Sequence, residues 1–559
     1  MSPKGTKSRL LFNLILYALS FQLVAQQKEV VFKIVINGKG KIITDQSPPY
    51  SKGQTITVSF YPSGGNQFIS KPDVLVTSPG DSLFGWVFDH WSVSPSSKQE
   101  QSGLDNPLSI TLNNDTTFYV SFIHQGTVAH LTDVQHNQLM NLRAGEYKGW
   151  QSISPEQQSG LYYKAENYLS DFINYNELWG QPATVWWKNF KRNEALGYDY
   201  LGEGVTWSGL HLTALTLKYS LFPDDIETTQ AIIRVLQSID RNTLITGFSG
   251  RVARFSGPTE NEAYHWYYKN VKVGASQGVA PYQDMTWLGK PTRDTHTGLF
   301  TGLASVVTLC KNNNEIFDLA KKISERVVDQ LIKDKWKIKG QPTGYYAPNE
   351  KSLKQLQMRV AYEVNPEKYK DFEKKIDGYN LRLNKGKNLY SNLYWVEWMT
   401  WARVFGILML EKSPQHLDAS LKKVNTLFEH KKMYFNPYYV GVTCYLNSLT
   451  NQKLVKDELN KIMQAELEGL LLAYPDGIKW NREVNLFQDP RFTVHNEKFV
   501  KEAALPNQVY NADFNAQRSA ARGKGGSNRQ SYQFTNFDMY LTYWLACASG
   551  RLSVPKLEN

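Results

Sequence analysis

The sequence predicts a mainly α protein, an (α/α)6 toroid over residues 126–559 preceded by a small all-β module over residues 28–124. Up to about residue 124 the chain alternates at period two, the spacing of strands; beyond it, apolar residues recur at steps of three and four, the spacing of helices. In the helical part, nearly charge-free segments are followed again and again by charged, amphipathic ones. At 559 residues the chain is too long for one ordinary core, which favours two domains or one large ring-like domain.

The N-terminus reads as a secretory signal over residues 1–25. Lys4, Lys7 and Arg9 precede the apolar run Leu10–Val24, and Ala25 stands just before Gln26. The run is too short and too early for a membrane span, and with no cysteine beside it a lipid anchor is not expected. The mature protein is therefore expected to be secreted, periplasmic or at the cell surface of a bacterium, with no membrane span.

Strand character follows in VVFKIVI, TITVSFYP, LSITL and TFYVSFI, which are β-branched and aromatic and separated by Gly, Pro, Asn and Ser. Four features stand in order: Gly38–Gly40; Tyr50–Gly53 leading into TITVSFYP; Phe88–Trp91; and Asn106–Ile110 followed by Asn114–Phe122. In these features the stretch resembles the bacterial repeat modules related to the B-repeats of internalins, with an insertion between Phe68 and Phe84. The resemblance implies a spacer or adhesive role without catalysis. Trp86 and Trp91 read as core rather than ligand contacts.

Helical couplets begin after residue 126. Trp207, Leu210, Ala214, Leu217 and Leu221 mark one helix, and Ile226, Ile233, Leu236 and Ile239 mark the charged helix after it. The couplet returns at Thr297–Cys310 with Glu315–Ile332, at Leu393–Leu410 with Gln415–Phe428, and at Pro437–Leu449 with Asn451–Leu472. A helix apolar all round is buried on all sides, and one with a charged face lies outside. Tyr162–Leu178, despite its charges, and Phe534–Ala548 complete six candidate inner helices, with Leu131–Ala144 closing the ring as an outer one.

If the inner helices run parallel, their N-terminal mouths share one face. Those mouths carry Tyr198, Asp199, Glu203 and Trp207; then Trp287, Arg293, Asp294 and His296; then Asn392, Tyr394 and Trp395; then Asn436 and Tyr438; and finally Arg518, Arg522, Tyr532 and Asp538. The loop Gly247–Trp287, with Arg251, Arg254, Glu262, His265 and Trp266, borders the same face. Asp294 also suits an N-cap, as does Thr295. His296, with an ordinary near-neutral pKa, suits proton transfer. Glu397 and Arg403 sit inside an otherwise apolar helix and need a partner or a purpose; a structural ion pair is the simplest.

Composition narrows the chemistry. The 15 Trp and 32 Tyr supply core and also platforms for the apolar faces of sugar rings. The net charge of +11 is spread along the chain and suits a polyanion such as an acidic polysaccharide. No nucleic-acid motif accompanies it, so nucleic acid is not an expected partner. Cys310, Cys444 and Cys547 form neither a disulfide framework nor a metal pattern and read as buried thiols. No cofactor or metal is expected.

Gly204–Tyr219 (GVTWSGLHLTALTLKY) and Thr292–Ala304 (TRDTHTGLFTGLA) resemble the second and third inner helices of six-hairpin, (α/α)6-toroid carbohydrate-active proteins, a group of glycoside hydrolases and polysaccharide lyases. The resemblance implies polysaccharide or oligosaccharide degradation. A hydrolase needs two carboxyl groups, for which Asp294 with Glu203 is the preferred pair and Glu397 the substitute. A lyase acting on uronic acid polymers needs a base and a carboxylate neutraliser, which His296 or His265 with Tyr394, Asn392 and Arg293 would supply. Trp207, Trp287, Trp266 and Trp395 complete the expected substrate contacts. A non-catalytic glycan- or protein-binding surface protein is the third reading.

Overall fold

The computed structural model describes residues 29–37, 40–62, 74–76, 86–92, 102–103, 108–124, 129–187, 195–199, 201–261, 264, 275–340, 345–377, 394–431, 435–474, 494–495, 499–500, 532–533 and 537–554. The proposed signal segment lies outside them. The chain divides into two compact units, the first holding residues 1–80 and 85–125, the second residues 81–84 and 126–559.

In the first unit the described elements are strands. One sheet runs in the order Val74–Val76, Phe32–Asn37, Thr116–His124, Trp86–Ser92, Ser102–Gly103, with Phe32–Asn37 parallel to Thr116–His124. A second sheet pairs Gln54–Pro62 with Gly40–Thr44 and Leu108–Leu112. Period-two alternation explains the core: Phe32, Ile34 and Ile36 are buried while Val31 and Lys33 are exposed, and Ile56, Val58, Leu112, Phe118 and Val120 close the same cluster. Trp86 and Trp91 lie on a strand, but their side chains are outside the described set.

The second unit is mainly helical, with several small sheets. Its helices are α1 (Asp133–Arg143), α2 (Pro155–Tyr175), α3 (Gly204–Leu221), α4 (Ile226–Leu244), α5 (Arg293–Leu309), α6 (Asn314–Lys333), α7 (Lys351–Val364), α8 (Glu373–Asp377), α9 (Tyr394–Met409), α10 (Pro414–Lys431), α11 (Pro437–Ser448), α12 (Asp457–Leu472) and α13 (Phe537–Ala548). Among the described helices, none is long and apolar enough to cross a membrane. In α3 every residue from Gly204 to Tyr219 is buried, whereas α4 buries one stripe, including Ala231, Val235 and Ile239, as its charged sequence requires. Cys310, Cys444 and Cys547 are buried free thiols.

Contacts give the helix directions. A Cβ on Gly298 would lie 2.2 Å from the Thr206 carbonyl oxygen, and one on Gly302 would lie 2.5 Å from that of Gly209. Residue numbers rise together on both helices, so α3 and α5 are parallel. Only glycine permits backbones this close; a Cβ on Gly209 would meet the Gly298 oxygen at 1.8 Å. In the same way Thr301 bonds to Ala402 O at 3.1 Å and Ala304 lies beside Gly406, so α5 and α9 are parallel. Trp398 meets Tyr438, Trp401 meets Tyr439 and Phe405 meets Tyr445, which makes α9 and α11 parallel. His211 meets Tyr540 and Lys218 lies over Trp544, so α13 joins α3 in the same sense. α3 packs on α5, α5 on α9, α9 on α11, α11 on α13, and α13 back on α3.

Two helices depart from the sequence expectation. Glu166 pairs with Lys218, and Phe172 packs on His211 and Tyr540, so α2 runs opposite to α3 and α13. α2 is therefore not one of the co-directional set. A further helix of the co-directional set is α7, which carries no charge-free stretch in the sequence. Ser352 bonds to Arg403, Leu356 abuts Gly406, and Arg359 reaches Leu410 O and Glu411, an ascending series that sets α7 parallel to α9.

Candidate functional site at the helix mouths

Because α3 and α5 are parallel and share the glycine seam, their N-terminal ends are neighbours. A small sheet fixes what stands there. Phe255–Pro258 pairs with Met285–Leu288, the strand that leads into α5. Arg254 N–H donates to Leu288 O (2.8 Å), and Val205 N–H, in the first turn of α3, donates to Arg254 O (3.0 Å). Gly204 has no room for a side chain, since its Cβ would lie 2.5 Å from the Phe255 ring. The strand edge is thus pinned against the start of α3, and the Arg254 side chain faces Glu203.

Glu203 occupies the N-cap position of α3 without capping it. Its carboxyl instead accepts from Arg254 Nη2 at 2.6 Å and from Thr206 Oγ1 at 2.9 Å. Burial pushes the Glu203 carboxyl above its usual range. Arg254 and the Thr206 hydroxyl pull against this, while the charge of Asp294 adds to it, and the net displacement is upward. Tyr345 belongs to the same group: its hydroxyl is raised, first by burial, with Arg254 lowering and Glu203 raising it.

A second cluster adjoins it at α5 and α7. Arg293, in the first turn of α5, pairs through Nη1 with Glu350 Oε1, and Arg403 Nη1 pairs with Glu350 Oε2. Arg403 also bonds to Met399 O (3.0 Å) and Ser352 Oγ (3.2 Å). Burial would raise the Glu350 carboxyl, but the hydrogen bonds and charges of Arg403 and Arg293 outweigh it and hold the group below its usual range. Arg403, flagged in the sequence as needing a partner, has found one in Glu350 at the N-cap of α7. Neither Glu350 nor Tyr345 was anticipated. For Glu350 the only sequence signal was the stranded charge of Arg403.

Several expectations are corrected. Thr292, not Asp294 or Thr295, caps α5: its side chain accepts from Thr295 N–H in a capping box. Asp294 lies in the first turn of α5, and its charge acts on Glu203. Trp207 and Trp287 are each only 3% exposed and belong to the core rather than to a sugar platform. Trp207 packs edge-on to Trp398 at 5.6 Å, and the Trp287 indole donates to Gln277 O at 3.1 Å. His296 is buried, stacked on Phe300, with Nδ1 3.4 Å from Gln357 Nε2. Burial drives its pKa down to about 3, so the imidazole is neutral and is not the near-neutral proton carrier expected. Asn436 caps α11, while Tyr438 is buried. Glu397, Tyr394 and Trp395 lie on α9, but their side chains are outside the described residues, as are His265, Trp266 and Asn392 altogether. Among the described residues, no group of three or more His, Cys, Asp or Glu side chains gathers in metal-binding geometry.

The arrangement provides one carboxyl group biased towards its protonated form, a second carboxyl acting on it, and three arginines. A scan against protein-family models finds no match, and searches of curated proteins and of solved structures return no significant match.

Proposed function

We propose that this chain is an exported carbohydrate-active enzyme that cleaves glycosidic bonds in a polysaccharide by a two-carboxylate hydrolytic mechanism. Glu203 is the general acid and Asp294 the base or nucleophile. The carrying observation is the Glu203 carboxyl, pushed upward by burial and by Asp294 at the adjoining helix mouth. Glycosidases need two such carboxyl groups in unlike environments, so that one holds a proton at the pH where the other has lost it. Glu203 gives its proton to the departing glycosidic oxygen, and Asp294 activates water or attacks the anomeric carbon.

The architecture we infer is an (α/α)6 toroid. In favour stand the co-directional helices α3, α5, α7, α9, α11 and α13 and the cyclic packing that returns from α13 to α3. The set differs from the sequence expectation, since α7 shares the common direction and α2 does not. The first unit, on its resemblance to bacterial repeat modules, serves as a spacer or adhesive element.

A lyase acting on uronic acid polymers is the second reading, favoured by the three arginines gathered at the mouths. Incubation with a panel of neutral and acidic polysaccharides separates the readings. New reducing ends without ultraviolet absorbance of unsaturated uronate mean hydrolysis, and both signals together mean elimination. Neither signal, over a panel that includes acidic algal and host glycans, rejects both enzymatic readings and leaves a binding protein.

A further inference from the structure

The ion cluster of Arg293, Glu350 and Arg403 holds two guanidinium groups on one carboxylate. Glu350 spends one oxygen on each arginine, so neither guanidinium receives the paired, two-point contact that its fork can make with a carboxylate or sulfate. The three groups differ in exposure. The Arg403 side chain is 5% exposed and anchored by Met399 and Ser352, whereas Arg293 and Glu350 are 41% and 37% exposed. An inner arginine is thus rigidly held, while an outer arginine and the shared carboxylate face solvent. Arg254 stands at the adjoining mouth on Glu203, and within the cluster itself two guanidinium groups meet a single carboxylate. A cluster built only for stability would bury or balance this charge.

We propose that Arg293 and Arg403 form a subsite for an acid group, carboxylate or sulfate, on a sugar polymer, and that Glu350 occupies it in the free protein. An arriving acid group takes the outward donors of Arg293 and displaces one Glu350 oxygen. This deepens the reading of the helix mouths as a polysaccharide site and rests on it: the substrate class becomes anionic polysaccharide.

The test is retardation in native gels containing dextran, dextran sulfate or alginate. Retardation by alginate alone identifies a carboxylate as the ligand group, and by dextran sulfate alone a sulfate. The variants predict opposite signs. Arg293→Gln weakens anionic binding by about fivefold, and Glu350→Gln, which removes the competing carboxylate, strengthens it by a similar factor. Arg293→Lys keeps the charge without the fork and falls between wild type and Arg293→Gln. Lys453→Gln, which removes a 73% exposed cation bound to Asp457, controls for general charge and leaves binding unchanged. Circular dichroism reports folding; should Glu350→Gln unfold, the two Arg293 variants decide alone. Equal retardation in dextran and the anionic polymers, or Arg293 variants indistinguishable from Lys453→Gln, overturns the subsite. Because binding rather than turnover is read, the two proposals fail separately. A protein that binds the anionic polymers and cleaves none loses the enzymatic reading alone, and one that cleaves neutral polymers and ignores anionic ones loses only the subsite.

Discussion

The two ends of α3 use the same chemical pair, a carboxyl group and a cation, in different surroundings. At the far end Lys218 bonds to Glu166 at 2.8 Å and to Asp225 at 3.3 Å, with all three side chains at most 10% exposed. Burial raises the Glu166 carboxyl against the pull of Lys218, and among the described residues Glu166 Oε1 has no hydrogen-bond partner. Glu203, about 22 Å away along the helix axis at the standard rise, is 24% exposed and paired with an arginine on a strand edge. The sealed pair answers only to the fold. At the open pair the carboxyl is perturbed but reachable, the condition for a group that must exchange a proton with something outside.

Substitutions at the two ends separate the roles. Glu203→Gln and Asp294→Asn should each reduce polysaccharide cleavage by roughly 10²- to 10⁴-fold with little change in the unfolding midpoint, as measured by reducing-end assays and thermal melts. A variant retaining full activity removes that residue from the mechanism. Lys218→Met should do the reverse. It strands two buried carboxylates and costs about 3–5 kcal/mol in denaturant unfolding, while activity per folded molecule persists. Gly209→Ala forces a methyl group into the Gly298 backbone and should cost roughly 3 kcal/mol, with a fall in activity because both helix mouths move.

Two smaller effects concern pH. Activity should fall on the alkaline side as Glu203 loses its proton. Arg254 lowers the Glu203 pKa, so Arg254→Gln should carry that limb to higher pH, and a limb that moves the other way breaks the assignment. His296 has its folded pKa depressed to about 3 from the usual 6.5. The unfolded chain therefore binds the extra proton first. The contribution of His296 is complete above pH 6.5 and declines towards pH 3, with a slope of at most about 1.4 kcal/mol per pH unit. His296→Leu should flatten unfolding free energy against pH across that window.

Much of this was legible in the residues. Nearly charge-free stretches such as Gly204–Tyr219 predict burial on all sides, and the residues at their mouths include Glu203, Arg293 and Asp294. The failures share one cause: a charge in a sequence does not disclose its partner. α7 carries no charge-free signal, because Lys351, Lys354, Arg359 and Glu363 stand among its apolar residues, yet Arg359 is buried on Glu411 at 2.8 Å. α2 was grouped with the inner helices, but Lys164 and Glu166 serve carbonyl groups and Lys218 across a different packing. Trp207 and Trp287 failed for a related reason, since an aromatic residue at a helix mouth can turn inward as readily as out.

The contact between Gly209, Gly298 and Gly302 also bears on stereochemistry. Retaining glycosidases hold their two carboxyl groups about 5–5.5 Å apart, and inverting ones about 6.5–9.5 Å, to admit a water molecule. Glu203 and Asp294 each ride on one of the helices that meet at this contact. On the proposed hydrolytic mechanism, the absence of three methyl groups would act as a ruler for that spacing, and would decide from several residues away whether a released sugar keeps or reverses its anomeric configuration.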